Sequence, residues 1–357
     1  MLIKEAQNCS ATASRRYRRV VAPRTQSSGS MIRCSANGVA YPPTPHILNF
    51  SELIMKLQLN AYKTIAHKQF SGRSDITSVI IPNKVTSIED YAFSHCRYLD
   101  SVSIPDSVTR IGEGAFSGCR RLAKVNIPNS VSRIGDGAFC GCLILSEVEV
   151  PKSVKIMGKE VFNSCENLIK ATINASVNRI SRMAFQGCHR LQEVKISNSV
   201  ESIDFWAFYD CWGLKTLCIP SSVTRIEESA FERSGLTNLD IPSSVTDIEA
   251  QAFKYCHNLT RVNLPNSIKI IHSDTFSGCD SLTSITIPAS VDQIADSVFR
   301  GCSSLQVVTF DGLTNMDEDT HIFDGCTSLE AIKVPYQYWS HYAGMLPDEL
   351  LDILIGY

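Results

Sequence analysis

The chain of 357 residues has no run of about 18 apolar residues, so no segment reads as a membrane-spanning helix. Met1–Ser30 lacks the continuous apolar core that a secretory signal needs. No glycine-rich phosphate loop follows a strand and opens a helix. No Ser or Cys nucleophile recurs with a His and an acid at an elbow. The expectation is therefore a non-enzyme without a cofactor. Aromatic residues make up only 8% of the chain, and the net charge is only −2. That charge is unevenly spread. Residues 1–45 hold seven basic residues and one acid out of totals of 34 and 36, which leaves 27 against 35, a net −8, for the rest. An acidic body is a poor partner for nucleic acid, and none is expected.

What the chain has instead is a period. Twelve phenylalanines from Phe70 to Phe323 recur every 23 residues, with one interval of 22 and one of 24. Each belongs to a copy of one phrase, clearest in Leu99-x-x-Val102-x-Ile104-Pro105-x-Ser107-Val108-x-x-Ile111-Gly112-x-x-Ala115-Phe116-x-x-Cys119. A fixed period of this length marks a solenoid, in which each coil buries its apolar face only against its neighbours. Val102-x-Ile104 reads as a short strand, and Pro105, lacking an N–H, ends its ladder. Val108 and Ile111 begin the return, and Gly112 is expected to permit the bend. The three-residue spacing of Phe116 and Cys119 predicts a helical turn. Parallel strands about 4.8 Å apart give twelve coils a length of roughly 55 Å. The phenylalanines then form a buried spine, with the alanine before most of them leaving room for stacked rings.

The Leu-x-x-Val-x-Ile-x-x-Ser frame, with Ile-Pro-x-Ser-Val and Ala-Phe-x-x-Cys, resembles the BspA-like subclass of leucine-rich repeats. The likeness covers the twelve copies. It departs from the frame where Asn174, Ser197 and Asp311 replace Pro and where Arg73 and Ser234 replace Cys. The coil of Phe231 is also one residue short, and an irregularity in the stack is expected there. The resemblance implies an α/β repeat solenoid. In that fold a right-handed leucine-rich repeat coil has short parallel strands on its concave side and helical turns or irregular segments on its convex side. It also implies a non-catalytic scaffold for protein–protein interaction, and as the alternative a secreted or surface adhesin that binds host or matrix protein.

Ten of the fourteen cysteines hold the repeat position. Stacked in parallel they point the same way, so neither disulfides nor a converging metal set is expected. Buried free thiols in a small apolar slot are the reading, which suits a reducing compartment. Arg110, Arg133, Arg179 and Arg225 form a stripe, three of them with an acid three residues on (Glu113, Asp136, Glu228), and read as a locally paired solvated face. On the strand face, Lys124, Glu147, Lys170 and Glu193 are equivalent positions of consecutive coils and predict an alternating-charge ladder. The coil of Phe208 stands apart because Phe205, Trp206, Tyr209 and Trp212 crowd around its spine ring. Clustered aromatics of this kind either anchor a partner or patch the shortened coil beside them. These four and the four ladder residues are the candidate partner-binding set.

Four segments follow: a basic leader at 1–45, an N-terminal cap and degenerate coil at 46–75, the repeats at 76–335, and a C-terminal cap at 336–357. Within the last, Pro347-Asp348-Glu349 opens an amphipathic segment through Leu354 that reads as a helix. The leader is rich in Arg, Ser and Thr, as transit peptides are, and Ile32-Arg33-Cys34-Ser35 resembles a plastid processing site. A disordered leader without an address, or a start at Met31, is the alternative. An intracellular, cytoplasmic protein is expected, with a plastid or the cell surface as alternatives. The partner expected is a protein, and nothing in the sequence sets the oligomeric state.

Overall fold

The computed structural model describes residues 62–317 and 321–357. Its contacts divide the chain into units Met1–Ile47 and Leu48–Tyr357, and every described residue lies in the second. The expected leader, and the expected cap up to residue 61, lie outside the described residues.

The second unit is a parallel β-solenoid of stacked coils with two strands in each regular coil. The first strand is the Val-x-Ile segment. Ser78–Ile80, Ser101–Ser103, Lys124–Val125, Glu147–Val150, Lys170–Ile173 and Glu193–Ile196 pair side by side into a six-stranded parallel sheet. The register advances one repeat per strand, so that Val79 faces Val102 and Ala171 faces Val194. Side chains alternate buried and exposed along Glu147–Val150, as the two-residue period of a half-buried strand requires. After Ile104, Pro105 offers its carbonyl to the Val108 amide at 3.0 Å, and this turn recurs at Pro128, Pro151 and Pro220. In most coils the repeat serine next to it donates back to the preceding coil, as Ser107 Oγ does to the Val85 carbonyl at 2.7 Å and Ser130 Oγ to the Val108 carbonyl at 2.6 Å; the Ser153 and Ser290 hydroxyls are buried without a partner.

A second sheet follows that the sequence analysis did not anticipate. Thr64–Ile65, Ser87–Ile88, Arg110–Ile111, Arg133–Ile134 and Ile156–Met157 form a five-stranded parallel sheet. Arg179–Ile180, Ser202–Ile203, Arg225–Ile226 and Asp247–Ile248 continue the pattern in a four-stranded sheet. Gly112, just past this strand, is not in the left-handed region. A Cβ there would lie 2.5 Å from Asp90 Oδ1 and 2.6 Å from Asp90 N, so glycine is required by the approach of the neighbouring coil and not by a bend.

The third side is not helical, and the α/β expectation is corrected there. Two residues per coil, four apart, take positive φ: Gly114 at 52° and Gly118 at 70°, Tyr91 and His95 both at 58°. A left-handed residue every fourth position breaks a helix before it forms. The backbone amides instead alternate between two partners. Gly114, Phe116 and Gly118 donate to the next coil at Asp136, Ala138 and Cys140 (2.7–2.8 Å), whereas Ala115, Ser117 and Cys119 donate three residues back (3.0–3.4 Å). This satisfies the buried backbone without a helix. Among the described residues the helical elements are confined to the C-terminal end: 3-10 turns at Tyr336–Tyr338 and Asp348–Ile353 and an α-helix at Trp339–Ala343. The expected helix through Leu354 is therefore a 3-10 turn, and Leu354–Gly356 is a strand pairing parallel with Ala331–Val334.

The core runs the length of the stack. From Phe70 to Phe323, each spine ring stacks on the next at 5.2–6.0 Å with planes within 17° of parallel. Phe93 through Phe299 are completely buried. Truncating one mid-stack ring, Phe162→Ala, removes contacts to both neighbours and should cost about 3–5 kcal/mol, the range for a large core deletion. A chemical-denaturation midpoint unchanged by the substitution would show that the rings do not carry the stack.

Candidate functional site

Ten repeat thiols, Cys96 through Cys326, occupy the spine-facing position. Each does more than fill an apolar slot: its S–H donates to the carbonyl of the phenylalanine one coil earlier. Cys96 reaches Phe70 O at 3.1 Å, Cys188 reaches Phe162 O at 3.2 Å, and the same bond recurs to Cys326 on Phe299 O at 3.1 Å. The described cysteines are free thiols. No three His, Cys, Asp or Glu side chains converge on a metal-sized site among the described residues. Burial disfavours the thiolate, pushing Cys96 up to about 11 and Cys256 to about 12.

The strand-face ladder assembles in register. Lys124 stands beside Glu147, Glu147 beside Lys170, and Lys170 beside Glu193, the last pair closing at 2.8 Å. The arginine stripe pairs differently from the expectation. Arg110 reaches Glu89 and Asp90 of the preceding coil (2.8 and 3.0 Å), not Glu113. Arg225 joins Glu227 to Glu249 of the following coil (3.0 and 2.5 Å), and Arg179 meets Asp204 at 3.5 Å. Residues three apart do not share a face here, because the segment after the arginine is turn and not helix.

The four candidate aromatics divide into two groups. Phe205, Trp206 and Tyr209 are half-buried and touch in sequence, with ring centroids 4.6 and 5.1 Å apart. Trp206 holds a left-handed position (φ 56°), and Arg182 lies over the Phe205 ring at 5.1 Å. Trp212 stands elsewhere, 55% exposed, with one face stacked on His189 at 4.4 Å. Its indole N–H donates to Asp210 Oδ1 at 2.6 Å. The Asp210 carboxylate also meets His189 Nε2 and Arg233 Nε, each at 3.4 Å. Burial works against ionisation of Asp210, yet the hydrogen bonds from His189 and Trp212 outweigh it and hold the carboxyl below its usual range. The same bond to Asp210 raises His189 above its ordinary value.

The shortened coil lies directly beside Trp212. Ser234 keeps the thiol position, is buried, and bonds Cys256 Sγ at 3.3 Å. The lost residue falls after it: Cys211 and Leu214 are three apart, but Ser234 and Leu236 only two. The spine does not register the loss, since Phe231 stacks at 5.3 Å on Phe208 and at 5.5 Å on Phe253. The irregularity appears one coil earlier and in the first sheet, where residues 215–218 form no strand. At the surface, a depression of about 220 Å³ opens there, lined by Trp212, Arg233, Ser234, Gly235, Tyr255, His257 and Asn258. Sequence reasoning named Trp212 but missed Asp210 and Arg233, whose only signal was equivalence to neighbouring coils in the 23-residue frame.

The BspA type leucine rich repeat region, a six-copy profile, matches residues 63–191, 109–237, 155–279 and 225–343. The chain belongs to this family. Among solved structures, a leucine-rich repeat protein from Bacteroides ovatus is 28% identical with a TM-score of 0.56, covering 82% of this chain and 87% of that one. A leucine rich cell surface protein from Faecalibacterium prausnitzii is 27% identical with a TM-score of 0.43, covering 76% and 91%. No curated protein matches the chain. Its family and fold neighbours are repeat proteins, and no helix among the described residues is long and apolar enough to cross a membrane.

Two outcomes follow from this geometry. Under native conditions iodoacetamide at pH 8 should label exposed Cys218 quickly and the nine buried repeat thiols, Cys96 through Cys302, slowly; in denaturant all should react without prior reduction. Fast native labelling of the repeat position would contradict its burial. The charged His189–Asp210 pair should be complete from above the lowered range of Asp210 up to pH 6.5, the ordinary histidine value, and fade as pH rises through the raised value of His189. An imidazole NMR titration should place His189 above 6.5, and Asp210→Asn should bring it down. An unchanged value in that variant would remove Asp210 as the cause.

Proposed function

We infer that this chain is a non-catalytic scaffold whose outer surface binds another protein. The observation that carries this reading is the strand face. There the interior takes every alternate side chain, and the outward ones align into an ordered polar array from Lys124 to Glu193, held in register by backbone pairing. An array fixed before binding loses little entropy on contact, and its alternating charge selects a complementary partner more than it adds raw affinity. The aromatic coil at Phe205, Trp206, Tyr209 and Trp212 adds the rigid, wide side chains that partner surfaces use as anchors. Membership of a repeat family supports a protein partner. We propose a reducing, intracellular compartment for the chain: Cys218 is an exposed free thiol, and the repeat position carries a row of further free thiols, a usage that suits reducing surroundings.

The test is affinity capture on the immobilised full chain at two salt concentrations, with bound proteins identified by mass spectrometry. Lys124→Gln with Lys170→Gln should change the association rate and its salt dependence, while the folded chain loses only exposed ion pairs and thermal stability changes little. A protein retained equally by the heat-unfolded chain, or retention insensitive both to these substitutions and to Trp212→Ala, would sink the reading.

A further inference from the structure

The shortened coil leaves a gap in a surface ladder, and we propose that this gap is a binding slot for one tyrosine or tryptophan ring of a peptide partner. The inference rests on the scaffold reading and adds where and what the surface reads. The residue after the repeat thiol occupies equivalent places along the stack: His189, then Trp212, then Gly235, then His257. His189 and Trp212 already stack, at 4.4 Å and 15°. In the next coil Gly235, which has no side chain, is the one residue between the thiol position and the leucine, where Cys211 and Leu214 have two between them. A Cβ on Gly235 would fall 1.9 Å from the Trp212 carbonyl oxygen, so no side chain of this chain can fill that place. Trp212 borders an opening of about 220 Å³ that Tyr255 and His257, two coils on, also line.

The molecule itself shows what spans two coil steps. In the same coil, inside the core, the ring of Phe231 sits between Phe208 and Phe253 at 5.3 and 5.5 Å. One planar aromatic ring is thus the object that fits between side chains two coils apart. The slot is ready before a ligand arrives: the Asp210 bond and the His189 stack fix the Trp212 ring despite its exposure. Preorganised aromatic surface of this kind loses little side-chain freedom on binding.

Charge complementarity narrows the occupant. The polar groups at the rim have partners within the protein, Arg233 with Asp210 at 3.4 Å and His257 Nδ1 with Asp280 at 2.7 Å. A neutral group suits such a rim better than a phosphate or a carboxylate. Asn258 and His257 line the opening and carry polar atoms for a phenol hydroxyl or an indole N–H, which phenylalanine lacks.

The experiment uses the full chain labelled with 5-fluorotryptophan, whose three 19F signals report Trp206, Trp212 and Trp339, with Trp212→Phe assigning the middle one. The probes are acetyl-Gly-Gly-X-Gly-Gly-amide peptides with X as Tyr, Trp, Phe or Leu, and methyl glucoside. The Trp212 signal should shift saturably with the Tyr and Trp peptides, at affinities at least tenfold above the Leu peptide. Inserting an asparagine between Ser234 and Gly235 restores the regular spacing, puts a side chain directly after the thiol position, and should abolish the shift. His257→Ala, which leaves the coil length alone, should weaken it severalfold and decides the matter if the insertion variant does not fold. Equal response to Leu, saturation by methyl glucoside, no response to any peptide, or a shift that survives both variants would overturn the slot. Capture that still depends on Lys124 and Lys170 would then leave the scaffold reading standing.

Discussion

Everything in this fold depends on one translation: each coil lays its backbone on the next, 23 residues on, in parallel register. The coil has no other neighbours, so apolar side chains, donors and acceptors must find partners along that single direction. Phe116 donates its amide forward to Ala138, its carbonyl receives the Cys142 S–H, and its ring lies between Phe93 and Phe139. One residue thus bonds, accepts and packs across the same step. The repeat serines work along the same direction, with Ser107 and Ser130 supplying the donor to the Val85 and Val108 carbonyls of the preceding coil. The repeat sequence is conservative along the chain because a residue that suits one coil must also suit the coils above and below.

The same dependence explains where change is tolerated. Losing one residue from the coil of Phe231 would be ruinous in the core, yet the spine passes through undisturbed. The deletion falls after the thiol position, at the surface corner, where Gly235 can cut short against the Trp212 carbonyl. The first sheet carries the cost, lapsing between Glu193–Ile196 and Asn238–Asp240. An exposed tryptophan fixed by a carboxylate and a stacked imidazole stands at that corner.

Much of this was legible in the sequence, because periodicity in a solenoid is itself a tertiary signal. The spine, the first strands, the ladder register and the free thiols each follow from which residue recurs at 23. What was not legible has physical causes. Phe116 and Cys119 are three apart both in a helix and in a turn, and that spacing alone cannot choose. The discriminating signal was Gly114 with Gly118, two glycines four apart, repeated at Gly137 and Gly141, since a helix has no use for left-handed residues at that interval. The second sheet hid because a two-residue strand such as Arg110–Ile111 shows no period. The cysteine bond hid because its acceptor lies 26 residues back, and the arginine pairs because their partners belong to adjacent coils.

These misses share a direction. Local pattern fails wherever a side chain's partner lies one coil away, and that is also where a binding surface on a solenoid must be built. Trp212 illustrates the point: in its own coil it is one more aromatic beside Phe208. Only when His189, Gly235 and His257 are placed on the same ladder does it become the wall of an opening. In such a protein the functional unit is a column of equivalent positions, and a departure from the column's pattern marks a site more reliably than any single residue does. By that criterion the shortened coil is a stronger candidate than the strand-face ladder: the ladder repeats one theme, whereas the gap occurs where a column of side chains is interrupted beside an aromatic ring already held in place.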